Sequence, residues 1–273
     1  MIGIVADETA EFRFCLKEAP RSLGLLSREH PHGWGIAVYD PHRGWGTTKQ
    51  PVCAGEDPHF TATAGRTRGE VLVAHVRRRT VGPISLENTH PFERGRWVFA
   101  HNGTIDDVGY LRAHSSAERL AEVKGSTDSE VFFAFVLTHL DRADATHASL
   151  SHPAPPSDTP HADAAVVAAV REIGGRPGFG ASNFLLSNGD ALYAFRQGRT
   201  LHVLTRQPSD EVVSQRVSRE TGAVIDTPWT RRRRAVLVAS EQITDEPWAA
   251  VAEGTLLKVR RRPTPEVSTL AAL

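Results

Sequence analysis

Four short stretches of this chain carry the side chains best suited to chemistry. His75-Val76-Arg77-Arg78-Arg79-Thr80 sets arginines at the end of an apolar run, and a guanidinium fork matches a carboxylate through two parallel charge-assisted hydrogen bonds. Thr80 brings a hydroxyl that can line a pocket or bond the backbone at the strand end. Ala100-His101-Asn102-Gly103-Thr104-Ile105 puts an amide beside a glycine. There the Asn102 side chain and the Gly103 N–H can both address one oxygen, because glycine lets the backbone approach closely. Taken alone, the same Asn-Gly pair reads as a hairpin turn. Ser126-Thr127-Asp128-Ser129-Glu130 supplies a carboxylate at the start of a helical pattern, and Asp128 also reads as that helix's N-cap. Asn88-Thr89-His90-Pro91-Phe92 adds His90, read as structural or as support for a site. Thirteen histidines raise the question of a metal. No His-Glu-x-x-His helix and no Cys-x-x-Cys pair occurs, so neither a metal site nor a cofactor is expected.

The elements that must position these residues follow from apolar periodicity and breakers. Met1 to Ala6 reads as a strand buried at once. Glu11 to Ser27 is loosely helical and divided by Pro20 into a helix and a second short turn. His30-Pro31-His32-Gly33-Trp34-Gly35 reads as a scaffolding loop, followed by a strand at Ile36–Tyr39 and a turn at Asp40–Gly44. Val71–Val76 and Trp97–Ala100 are apolar strands. Ser129–Leu140 is a buried helix behind the Ser126-Thr127-Asp128 capping region. Residues 142–162, rich in Ala, Ser, His and Pro, read as an exposed loop or insertion. Ala164–Ile173 is a helix ended by Gly174-Gly175. Further strands are predicted at Asn183–Leu186, Leu192–Arg196, Leu201–Leu204, Ala235–Ser240 and Thr255–Arg260, the first two joined through Ser187-Asn188-Gly189-Asp190. Hairpin-rich strands with helices between them favour antiparallel sheets over a doubly wound nucleotide fold.

Composition bounds the rest. The 273 residues carry 32 basic and 32 acidic side chains, which argues against a polyanion-binding role and hence against nucleic acid. The run Arg231–Arg234 and its echo Arg260–Arg262 read as solvated strand flanks. Cys15 and Cys53 show no paired spacing. No apolar stretch reaches the roughly 18–20 residues that would cross a bilayer, and the N-terminus has no signal-peptide pattern. A cytoplasmic protein of one domain over residues 1–273, without membrane or nucleic-acid partners, is expected.

The ordered series of motifs resembles the class II glutamine amidotransferases, which are N-terminal-nucleophile hydrolases. Asn183 to Gly189, Leu192-Tyr193-Ala194 and Ala239-Ser240-Glu241 through Trp248 extend the likeness to the stand-alone members, which lack a synthase domain. The resemblance implies an α+β fold, a four-layer αββα sandwich with two antiparallel sheets between helix layers. It implies that Arg77 grips the α-carboxylate of glutamine, that Asp128 binds its α-amino group, that Thr80 lines the pocket, and that Asn102 and Gly103 form the oxyanion hole. The ligand would be glutamine or another γ-glutamyl small molecule, and any ammonia acceptor would sit on a partner protein.

The N-terminus departs from that family. An N-terminal-nucleophile amidohydrolase uses the thiol or hydroxyl of its first residue, with the free α-amine as base. Here the chain reads Met1-Ile2-Gly3-Ile4. In one alignment Ile2 replaces the cysteine of a Met-Cys-Gly-Ile opening. In the other, Met1-Ile2-Gly3 matches the apolar-apolar-Gly that follows Met-Cys-x, and the start would lie a few residues upstream. The second is preferred because the later motifs resemble the stand-alone type most. Neither Cys15 nor Cys53 can replace the missing thiol, since neither has an adjacent free α-amine. The expectations are therefore an amide hydrolase short of its nucleophile, a non-catalytic glutamine or γ-glutamyl binding domain, or a non-catalytic partner-binding subunit.

Overall fold

A period of two along the first strand, β1 (Ile2–Glu11), splits its apolar side chains between two cores. Ile2, Ile4 and Ala6 join one cluster, whereas Met1 and Val5 join another. The computed structural model describes residues 1–148, 159–207, 215–217, 224–226 and 234–273. After β1 come β2 (Trp34–Asp40), β3 (Gly44–Gln50), β4 (Arg68–Val76), β5 (Phe92–Arg94) and β6 (Trp97–Ile105). Then follow β7 (Gly180–Ser187), β8 (Ala191–Phe195), β9 (His202–Arg206), β10 (Gln215–Val217) and β11 (Val224–Asp226). The last four are β12 (Ala235–Ala239), β13 (Ala249–Ala250), β14 (Thr255–Arg260) and β15 (Glu266–Ala272). The helices are α1 (Leu23–Leu26), α2 (Pro58–Arg66), α3 (Val108–His114), α4 (Ala117–Ala121), α5 (Asp128–Ala148) and α6 (Thr159–Ile173).

Seven strands form one sheet in the order β13-β9-β12-β1-β4-β2-β3, and six form a second in the order β15-β14-β8-β7-β6-β5. Every pairing is antiparallel. Among the described residues β10 and β11 pair only with each other. Val5, Val73, Val98, Leu185, Leu192 and Val238 fill the space between the two sheets. On the outer face of the first sheet Trp34 meets Phe12, Phe14, Leu23 and Phe60 from a π-helical turn at Phe14–Glu18, α1 and α2. On the outer face of the second sheet Phe99, Phe184 and Phe195 meet Phe132, Val136, Val166 and Val170 from α5 and α6. Helix, sheet, sheet and helix thus stack in the four-layer αββα order. Gly3 marks how close the sheets come, since a Cβ there would lie 2.7 Å from Leu192 Cδ2.

Two expectations need correction. The loop expected over residues 142–162 is helical at both ends: α5 runs on to Ala148 and α6 begins at Thr159, and 149–158 lie outside the described residues. The hairpin-turn reading that Asn102-Gly103 would carry alone does not hold, because β6 continues through it to Ile105 against β7, with Asn102 opposite Asn183. Asp128 is not the N-cap of α5. That part falls to Thr127, whose Oγ1 accepts from Glu130 N at 3.3 Å. The divided segment Glu11–Ser27 holds the π-helical turn and the short α1, as two pieces were expected, and the Ser187–Asp190 hairpin joins β7 to β8. Elements α2, α3, α4, β3, β5, β13 and β15 carried too weak a pattern to be read. Arg231 to Arg233 lie outside the described residues. Arg261 and Arg262 both pair with the buried Glu70 and Arg260 pairs with the exposed Glu266, so only Arg261 of that cluster is buried. Among the described residues no helix is long and apolar enough to cross a membrane.

Candidate active site

The N-terminal end of β1, the ends of β4 and β6, the start of α5 and the loop after β8 converge on an open cavity of about 580 Å³. Arg77, Thr80, Asn102, Gly103 and Asp128 all line it. Residues separated by up to 51 positions in the chain are therefore brought to one place by strand ends and one helix start.

Arg77 follows β4 directly and is held on three sides. Its N–H donates to Gly33 O at 2.7 Å, and its carbonyl accepts from His32 N at 2.9 Å. Arg79 N donates to His32 Nδ1 at 3.0 Å, so the His30–Gly35 loop does act as scaffold. Gly33 has φ +146°, a value that favours glycine, and a Cβ there would collide with Thr89 Oγ1. The guanidinium donates from Nη1 to Pro83 O at 3.0 Å and from Nη2 to Val81 O at 2.7 Å. These bonds fix the plane of the fork and leave its remaining N–H groups for the cavity. Burial lowers the Arg77 pKa, Arg79 adds to that, and Asp128 opposes it. The charge is thus held in a place that favours an anion. Thr80 stands at the exposed rim and accepts from Thr104 Oγ1 at 3.1 Å.

Asn102 shares the face of β6 that carries Val98 and Ala100 toward the first sheet, and its amide makes no hydrogen bond among the described residues. Gly103 stands opposite Ser182, whose N–H goes to Gln197 O at 2.9 Å on the other side of β7. Gly103 and Ser182 are therefore a non-hydrogen-bonded pair, and the Gly103 N–H points away from β7. β5 covers that side of β6 only as far as Phe99, so this N–H is available to a ligand. No other residue fits, because a Cβ on Gly103 would lie 2.0 Å from Ala181 O.

Asp128 is buried, and its Oδ2 accepts from Ile105 N at 2.7 Å. The carboxylate thus ties the start of α5 to the end of β6. Ser129 Oγ lies 2.8 Å from His101 Nδ1, and His101 Nε2 lies 3.0 Å from Ala181 O. A carbonyl only accepts, so Nε2 carries the proton and Nδ1 accepts from Ser129. Burial lowers the His101 pKa, with Asp128 and the Ala181 carbonyl opposing. The His75 and His90 rings lie 4.4 Å apart, tilted by 40°, in the cavity lining. His75 Nδ1 and both His90 nitrogens have no hydrogen-bond partner among the described residues. Burial holds both pKa values well below the ordinary histidine value. Among the described residues no group of three or more His, Cys, Asp or Glu side chains could hold a metal ion.

The N-terminal end of β1 closes the opposite side. The Met1 α-amino group donates to Ser240 Oγ at 3.1 Å, and Ser240 N donates to Met1 O at 3.0 Å. Burial pushes that amine down to about 6, with Glu241 opposing, so at neutral pH it is largely the free base. Neither cysteine lines the cavity. Cys15 is buried in the outer core with its thiol pushed up to about 11, mainly by burial. Cys53 sits 3.5 Å from Ser27 Oγ. Sequence reasoning missed Ser240, Arg199 and Thr200 as lining residues. Ser240 lay within the noted Ala239-Ser240-Glu241 stretch, whereas Arg199 and Thr200 had no local signal.

A family model described as glutamine amidotransferases class-II matches residues 1–270. An uncharacterized protein of Methanocaldococcus jannaschii is 27% identical over 240 residues, covering 85% of this chain and 61% of that one. The chain thus spans less than two thirds of that relative. The gamma-glutamyl-hercynylcysteine sulfoxide hydrolase of Mycobacterium tuberculosis is 29% identical over 211 residues, 75% of each chain. Among solved structures, the glutamine phosphoribosylpyrophosphate amidotransferase of B. subtilis superposes with a TM-score of 0.60 at 17% identity. That match covers 100% of this chain and 49% of the other, and it bears on the fold alone.

Proposed function

Because this chain belongs to the class II glutamine amidotransferases, we propose that its cavity holds the γ-glutamyl end of glutamine or of a small γ-glutamyl amide and presents the side-chain amide for hydrolysis. The observation that carries this reading is the convergence of Arg77, Asp128, Asn102 and Gly103 on one cavity at the N-terminal end of β1. Arg77 takes the α-carboxylate through its free N–H groups. Asp128, already holding Ile105 N, offers its second oxygen to the α-ammonium. That fixes the zwitterionic end, and such fixing turns an encounter into an oriented one. Asn102 Nδ2 and Gly103 N donate to the carbonyl oxygen as it becomes an oxyanion.

Hydrolysis then needs a nucleophile at the N-terminal end of β1. A thiolate there adds to the γ-carbonyl carbon. Collapse of the adduct breaks the C–N bond, and the leaving amine takes its proton from the α-ammonium. Water then cleaves the thioester to release glutamate and return the thiol. The gamma-glutamyl substrate in the name of the M. tuberculosis relative supports extending the ligand class beyond glutamine. A second reading, binding without turnover, is favoured by one observation: neither cysteine lines the cavity. A cytoplasmic setting and a partner protein as ammonia acceptor belong to the same proposal.

The deciding experiment measures glutamate release and calorimetric binding with L-glutamine. It compares this chain, the same chain preceded by Met-Cys-x, and Arg77→Ala. Turnover only in the cysteine-bearing protein, with binding in both, is the expected result. Binding without turnover in both selects the second reading. Arg77→Ala should weaken binding about 30-fold or more, the range for removing one partner of a buried charge pair. Unchanged binding in Arg77→Ala would overturn the pocket assignment and leave a partner-binding role.

A further inference from the structure

Beyond the residues that would hold a γ-glutamyl group, the same cavity carries a second set of cations. Arg78, Arg79 and Arg199 line it, and none of the three pairs with a carboxylate among the described residues. The acidic groups nearby are already engaged. Asp128 accepts from Ile105 N, and Glu241 pairs with Arg21. Within the Arg77–Arg79 segment the charges repel: Arg79 lowers the Arg77 pKa, and Arg78 helps to lower that of His30.

Arg199 is not a loose surface residue in its backbone. It belongs to the loop between β8 and β9, and the fully buried Asn183 of β7 clamps that loop. Asn183 Oδ1 accepts from Gln197 N at 2.8 Å and from Arg199 N at 3.2 Å. Its Nδ2 donates to Arg199 O at 3.0 Å and Thr200 O at 3.1 Å. All four hydrogen-bonding positions of that amide are thus spent on four backbone groups of one loop. Thr200 Oγ1 then fastens the loop to Ser240 O at 2.9 Å. Asn183 stands directly opposite Asn102 in the β6–β7 register. One strand pair therefore places the amide that faces the scissile carbonyl and the clamp that places Arg199.

Size points the same way. A cavity of about 580 Å³ falls inside the ~300–1,000 Å³ range of sites for ligands of drug size, more room than one amino acid fills. Like charges gathered at a cavity mouth cost stability unless a ligand neutralises them.

We propose that Arg199, positioned by Asn183 and joined by Arg78 and Arg79, binds an anionic group on the amine portion of the substrate, so that the preferred ligands are γ-glutamyl amides of carboxylate-bearing amines rather than glutamine itself. This rests on the γ-glutamyl reading above and adds the leaving-group side. The amide bond that breaks is the same, and the departing group is an amino acid or peptide-like amine instead of ammonia.

Calorimetry on the full chain tests it with three probes: L-glutamine, γ-glutamylethylamide, whose amine portion is neutral, and γ-glutamylglycine, which ends in a carboxylate. γ-Glutamylglycine should bind about 10-fold or more tightly than the ethylamide, the worth of one charge-assisted contact. That ratio should shrink as salt rises. In Arg199→Gln the ratio should fall toward one, and Arg199→Lys should keep part of it. Equal affinities in the unaltered chain, or an Arg199→Gln loss shared by all three probes, would overturn the assignment while leaving the γ-glutamyl pocket standing. Failure of all three probes to bind would overturn the function reading and this one with it.

Discussion

The two sides of the cavity are built differently. On the side of β4, β6 and α5, Asp128, Arg77 and Gly103 are each pinned by a contact of their own. Asp128 holds Ile105 N, the Arg77 fork holds the carbonyls of Val81 and Pro83, and Gly103 is wedged against Ala181. On the side of β1 and β12 the cavity is bounded by the Met1 amine, Ser240 and Glu241, joined by a side-chain contact and a backbone bond. In the proposed reading, ligand holding is spread over several elements that the fold must place anyway, whereas bond breaking depends on whichever single residue stands at the end of β1. Loss of one holding group then weakens binding by degrees, and loss of the nucleophile ends turnover.

Gly103→Ala should break the pinned side most severely. Its methyl group would sit 2.0 Å from Ala181 O and 2.6 Å from Ala181 C, both backbone atoms. Relief requires β6 and β7 to part. A loss of about 3 kcal/mol or more follows from such overpacking, seen as a fall in Tm of roughly 6–12 °C for a chain of this size. Gly46→Ala is the control, with nothing within 4 Å of its Cβ position. A Gly103→Ala protein as stable as Gly46→Ala would show that the close approach at β6–β7 is not a constraint.

The floor between the two sides is titratable. His75 and His90 are buried with pKa values held well below the ordinary 6.5. In the unfolded chain each takes a proton as pH falls below about 6.5, while in the folded protein each stays neutral. The unfolded state then binds more protons, so stability is complete above about pH 6.5 and is lost as pH falls toward the depressed folded values. Each histidine contributes a slope of about 1.4 kcal/mol per pH unit. Urea unfolding between pH 7.5 and 5.5 should show this loss, to which the lowered pKa values of His101 and the Met1 amine also contribute, and His90→Leu should reduce the slope by up to about 1.4 kcal/mol per pH unit. Equal slopes in both proteins would mean that His90 is protonated, or paired through water, in the folded state.

How much of this arrangement was legible in the sequence differs between the same two sides. Arg77, Asn102, Gly103 and Asp128 were legible because each sits in a short motif beside a strongly apolar strand or helix. What they do to one another was not. The Asn-Gly pair carries a turn signature, and only the pairing of Asn102 with Asn183, 81 positions later, keeps it in a strand. Asp128 looked like a cap because caps are local, whereas its actual partner is Ile105 N in another element. The helix α2 has a mixed sequence with only Phe60 and Ala64 buried, although the Asp57-Pro58 pair marks its start through Asp57 Oδ1 accepting from His59 N. The edge strands β3 and β15 are mostly half-exposed, so period-two alternation is weak there. The central strands alternate between two apolar cores, and a sequence apolar on both faces cannot by itself announce which face meets a sheet and which a helix.

Ser240→Ala probes the lightly built side and should have the smallest effect. It removes the acceptor of the Met1 amine at 3.1 Å but keeps the backbone bond from Ser240 N to Met1 O and the tie from Thr200 to Ser240 O. One hydrogen bond of this kind contributes about 1 kcal/mol. The amine would be left with a methyl group in place of a hydroxyl, so its pKa should fall further rather than recover. Urea unfolding measures the stability change, and calorimetry with L-glutamine measures the ligand. A loss near 1 kcal/mol with glutamine affinity kept within about 2-fold would show that this side bounds the cavity without gripping the ligand. Loss of glutamine binding in Ser240→Ala would mean that the α-amine and its serine hold part of the substrate. The separation of a ligand-holding side from a bond-breaking side would then fail.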